Sequence, residues 1–121
     1  KEKMPEQYEA VSLDDFVEYS KSMFEYWTED DFASSFRKML TIEQFRSEEM
    51  QKLYQQYLVA GPASYVKALF ESIGIVNAKD KAARFYAVMH FYYSLYDGAA
   101  DKEKVKVEFV SAIKSLVQDL A

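Results

Sequence analysis

Three side chains able to do chemistry stand in one row of this 121-residue chain: His90, Ser94 and Asp97, spaced i, i+4 and i+7. At helical spacing the three share one face. A nucleophilic Ser-His-Asp set is the sharpest reading. It fails on placement, because one helix face cannot wrap three groups around a carbonyl and no Gly-rich oxyanion turn lies nearby. The row therefore reads as polar groups satisfied inside or beside a subunit interface, or as one wall of a ligand pocket.

Other chemistry has less to work with. His90 is the sole histidine and there is no cysteine, so thiol catalysis and disulfides are excluded and a histidine-based metal site has no second ligand. Ala87 stands three residues before His90, which removes the Glu-x-x-His pattern of carboxylate metal sites. The acidic groups at 14–15, 29–31 and 48–49 fall in expected first turns of helices, where the helix dipole accounts for them. No phosphate-cradling glycine motif occurs. The expectation is a chain that is not an enzyme, with no cofactor and no metal.

The net charge of −5 and three scattered arginines argue against a nucleic-acid surface. No apolar run approaches the ~20 residues of a membrane span, and no signal peptide is evident. A cytoplasmic location fits the missing cysteines.

Three Gly and two Pro leave few tight turns, and helix-favouring residues dominate. The class is all-α: a compact antiparallel bundle of five or six helices. Residues 1–11 read as an irregular lead-in, and 12–121 as one domain. Expected helices cover about 13–27, 29–45, 48–73, 81–97 and 102–120. Ser12, Thr28, Ser47, Asp80 and Asp101 are the expected N-caps. In the second helix Phe32, Phe36, Met39 and Leu40 form the apolar face, continued by Ile42 and Phe45. The 48–73 segment is two helices, or one bent at Gly61-Pro62.

Helix 81–97 is apolar around most of its circumference, with Phe85, Val88, Met89, Tyr92 and Tyr96 on one side. Tyr86, Phe91, Tyr93 and Leu95 occupy the rest. A small bundle has little room for a wholly central helix, so a second copy of the chain is expected to cover it. The expected dimer face takes Tyr86, His90, Phe91, Ser94 and Leu95 from this helix, and Val107, Val110, Ile113 and Val117 from the last one. The last two helices of each subunit would then make a four-helix interface.

Aromatic residues make up 17% of the chain. Phe24, Trp27, Phe36, Met39, Tyr54, Tyr57, Tyr65, Phe70, Met89 and Tyr93 are the candidates to line a mostly apolar pocket.

The stretch Phe36–Leu58, with LTIEQFR at Leu40–Arg46 and the restart Ser47-Glu48-Glu49-Met50, is answered by Phe85–Gly98, which closes on SLYDG. Together they resemble the C-terminal, effector-binding half of TetR-family transcriptional regulators, over about Leu13–Leu120. The resemblance implies a homodimer that senses a small-molecule effector and controls DNA binding through a separate N-terminal helix-turn-helix domain. No such domain lies within these residues. Effector pockets differ among members, so the resemblance carries over no ligand contact.

Overall fold

The computed structural model describes residues 12–120, so the expected lead-in at 1–11 lies outside the described residues. Six helices follow in order: α1 Leu13–Glu29, α2 Asp31–Glu43, α3 Glu48–Leu58, α4 Ala60–Ser72, α5 Ala78–Gly98 and α6 Lys102–Gln118. No strand is present among the described residues, and the chain is an all-α bundle.

Local chemistry sets the helix starts. The Ser12 hydroxyl accepts from the Asp15 amide at 3.1 Å, and Ser47 does the same for Met50 at 3.2 Å. Asp101 accepts from the Lys104 amide at 3.1 Å. Each side chain satisfies one amide that the helix leaves without a partner.

Two expected caps are corrected. Thr28 is buried inside α1, and its hydroxyl donates to the Phe24 carbonyl at 2.6 Å. The backbone bond from the Asp30 amide to the Tyr26 carbonyl carries α1 past it. Asp30 is the cap of α2, accepting from Ala33 at 2.8 Å. Asp80 likewise lies within the first turn of α5, which begins at Ala78 behind a left-handed Asn77 (φ 55°). There Asp80 pairs with Arg84 at 3.1 Å.

The 48–73 segment is two helices, broken at Val59 just before Gly61-Pro62, which sit in the first turn of α4. A Cβ on Gly61 would stand 1.9 Å from the Gln56 carbonyl oxygen, so only glycine fits the corner. Helix α4 ends on Gly74 at φ 83°. The Ile75 amide bonds Phe70 and the Gly74 amide bonds Glu71, a Schellman closure.

The largest departure concerns α5. It packs against α1, α4 and α6, and its side chains also reach α2 and α3. Ala78, Ala82, Phe85, Tyr86, Met89, Tyr93 and Tyr96 are buried within the single chain. Most of its two-sided apolarity is thus absorbed by its own bundle. Phe91 (57% exposed) and Leu95 (40%), one turn apart on the outer face, are what remains.

The core is aromatic and continuous. Phe24 stacks on Phe109 with centroids 4.2 Å apart and on Tyr93 at 5.6 Å. Phe16 meets Phe85 at 4.9 Å and Phe70 at 5.2 Å. Offset and edge contacts of this kind add about 0.5–1.5 kcal/mol per pair beyond area burial. Lys106 ties α6 to α1 through Glu29 at 2.8 Å and Glu25 at 3.3 Å.

Helix α2 is rotated from expectation. Its inward row is Ala33, Arg37 and Leu40, while Phe32 (72% exposed), Ile42 (74%) and Phe45 (85%) face outward. A buried arginine breaks the apolar period here, and its partner is sixty residues away.

Candidate functional site

Helix α1 carries two parallel rows. Phe16, Ser20, Phe24 and Thr28 go into the core. One position round the helix, Tyr19, Met23 and Trp27 line a cleft of about 320 Å³. Phe85, Met89 and Tyr93 of α5 face it at the same i, i+4, i+8 spacing, with Tyr86 beside them. The corner between α3 and α4 closes a third side with Gln56, Tyr57, Gly61, Pro62, Tyr65 and Val66. The glycine that permits that corner thus also shapes the cleft.

The floor is buried and the mouth is open. Val66, Phe85, Tyr86, Met89 and Tyr93 are buried, whereas Gln56, Tyr57 and Gly61 are exposed. Tyr19 and Tyr65 face one another from α1 and α4 with ring centroids 6.0 Å apart. Burial pushes the phenols of Tyr19, Tyr86 and Tyr93 well above their ordinary value, so all three remain neutral hydrogen-bonding groups at physiological pH.

Half of the expected pocket residues meet here: Trp27, Tyr57, Tyr65, Met89 and Tyr93. Phe24 and Phe70 are fully buried core, and Met39 is exposed. Phe36 packs on the surface between Phe32 and Tyr57, and Tyr54 borders a second groove. Tyr19, Met23, Gln56, Gly61, Pro62, Val66, Phe85 and Tyr86 also line the cleft and are absent from the expected set. For Tyr19 and Met23 the signal was present as the second row on α1, one step from the core row.

The second groove, about 430 Å³, holds the polar row of α5. His90, Ser94 and Asp97 line it with Arg37, Lys38 and Thr41 of α2 and Tyr54 of α3. The row is tied into the fold. Asp97 receives Arg37 Nη2 on one oxygen at 2.7 Å and Nη1 on the other at 3.0 Å. His90 Nε2 donates to the Leu58 carbonyl at 2.8 Å, satisfying the end of α3 where the chain breaks.

Arg37 joins the two grooves. Its Nε donates to the Trp27 carbonyl at 2.9 Å, and its guanidinium lies 4.9 Å from the Tyr93 ring centroid. Both contacts are walls of the apolar cleft. Among the described residues no group of three or more His, Asp or Glu side chains is placed to hold a metal.

The expected interface set divides. Tyr86, Ile113 and Val117 are buried in their own core, and His90 is half-buried with its Nε2 on the Leu58 carbonyl. Val107 and Val110 border the groove between α6 and α1, beside Lys21 and Glu25. Phe91, Ser94 and Leu95 are the exposed members on α5.

Comparison with protein-family models, curated proteins and solved structures finds no match. Among the described residues no helix is long and apolar enough to cross a membrane.

Proposed function

We propose that this chain is the ligand-sensing and dimerisation domain of a cytoplasmic TetR-like transcriptional regulator, whose DNA-binding helix-turn-helix is a separate N-terminal domain. The observation that carries the reading is the apolar cleft between α1, α5 and the α3–α4 corner. Its volume lies at the low end of the roughly 300–1,000 Å³ usual for small-molecule sites.

The cleft has α1 as one wall, and α1 is the first helix of the bundle. An effector that favours one spacing of α1 against α5 would shift the position of any domain joined ahead of α1. That differential affinity is all that allosteric control requires. Phe91 and Leu95 on the outer face of α5 supply an apolar strip for a two-fold contact.

Light scattering on the purified chain tests the assembly. A dimer that becomes monomeric in Phe91→Lys/Leu95→Lys, with helical content unchanged, is the expected result. A well-folded monomer at high concentration would sink the dimerisation part of the reading. The gene sequence ahead of Lys1 tests the regulator part, since it must encode a helix-turn-helix.

A second reading, a helical protein-interaction module without a small-molecule ligand, draws on Phe32, Ile42 and Phe45, which project outward from α2 and the turn after it. Monomeric behaviour together with a cleft that takes no small molecule would favour it.

A further inference from the structure

We infer that the cleft takes an uncharged, mostly apolar, ring-containing ligand, and that it discriminates against both anions and cations. This rests on the sensing role proposed above and specifies its ligand.

No Asp, Glu, Lys, Arg or His side chain lines the cleft. A charge carried to its buried floor would lose water and meet no unpaired counter-ion, since Arg37 behind the Tyr93 ring is already held by both oxygens of Asp97. Seven of the thirteen lining residues are aromatic, which suits stacking against a planar ring. A ring of this kind can also hold a cation over its face. Here that option is weakened, because one face of Tyr93 already carries the Arg37 guanidinium at 4.9 Å. The exposed Gln56 amide at the mouth can meet a hydroxyl or carbonyl group of the ligand. The high phenol pKa values keep Tyr19 and Tyr86 uncharged across the physiological range.

Trp27 is the sole tryptophan and lines the cleft, so its fluorescence reports occupancy directly. The test titrates the purified chain with three probes built on one naphthalene skeleton: neutral N-phenyl-1-naphthylamine, its anionic 8-sulfonate, and a naphthyltrimethylammonium cation. The neutral probe should quench Trp27 saturably and bind at least about tenfold tighter than either ion, as expected for an unpaired charge in a buried site.

Gln56→Lys, an exposed substitution at the mouth, should tighten the sulfonate roughly threefold relative to the neutral probe. Equal or tighter binding of an ion overturns the inference while leaving a sensing role intact. Failure of all three probes to quench Trp27 overturns both. A sulfonate affinity indifferent to Gln56→Lys also counts against the inference, because the probe then binds away from the mouth.

Discussion

Arg37 and Asp97 lie sixty residues apart in sequence and meet through two hydrogen bonds of 2.7 and 3.0 Å, the guanidinium almost wholly buried. The pair fastens α2 to the last turn of α5. The third Arg37 bond, to the Trp27 carbonyl, adds the end of α1. A bidentate fork of this kind is specific to arginine.

Removing one partner strands the other. Asp97 is about one-third exposed, so the loss is screened on that side. Arg37→Met should destabilise by about 2–3 kcal/mol, at or below the low end of the range for a broken buried pair. Asp97→Leu should cost a similar amount, because it leaves the buried cation unpaired. The double variant should recover much of either loss. Urea unfolding of the four proteins gives the coupling energy. Strict additivity of the two single losses would show that the bonds contribute nothing as a pair.

Gly61→Ala and Gly98→Ala should behave in opposite ways although both glycines are helical. A Cβ at Gly61 meets the Gln56 carbonyl oxygen, whereas one at Gly98 meets nothing within 4 Å. The first change should cost about 2–3 kcal/mol by overpacking the α3–α4 corner. It should also distort the cleft, loosening the neutral probe. The second should be neutral or stabilising by up to ~0.5 kcal/mol through the unfolded chain. Thermal melts of both variants decide it, and a Gly61→Ala melt that matches the parent would contradict the corner geometry.

Alkaline pH should unfold the protein through its buried phenols. Burial raises Tyr19, Tyr86 and Tyr93 above the ordinary phenol value. In the unfolded chain each ionises near pH ~10. A group with a raised folded pKa gives stability that is fully present below its unfolded pKa and lost as pH rises through the folded one. Stability should therefore be flat with respect to these groups up to about pH 9 and fall steeply above pH ~10. Tyrosinate absorbance should show some of the ten tyrosines titrating only with loss of helical signal. Tyr86→Phe should weaken the alkaline fall. If all ten ionise together while the fold persists, these phenols are not buried as described.

Much of the bundle was legible in the chain. Ser12, Ser47 and Asp101 announce helix starts because a short polar side chain next to an apolar period has one local use. Thr28 and Asp80 misled for the same reason. Each has cap chemistry but lies where the backbone continues, and there its side chain bonds Phe24 or Arg84 instead. Local signals of this kind fix an end only to within a few residues.

The cleft was half legible. Trp27, Tyr57, Tyr65, Met89 and Tyr93 were expected from residue type, whereas Tyr19 and Met23 of α1 were not. Aromatic character is shared by core and cleft, so type alone cannot separate Phe24, fully buried, from Trp27.

The amino-acid sequence by itself determined the class, the helix sequence and the exclusion of thiol chemistry. These follow from composition, period and local hydrogen bonding. Only the tertiary structure decided that α5 is the hub, that Arg37 points inward and that the cleft opens at the α3–α4 corner. Hydrophobic burial is non-directional. A two-sided apolar helix states that it must be covered and does not name the cover. Here five other helices of the same chain supply most of it, and Phe91 and Leu95 are what they leave outside.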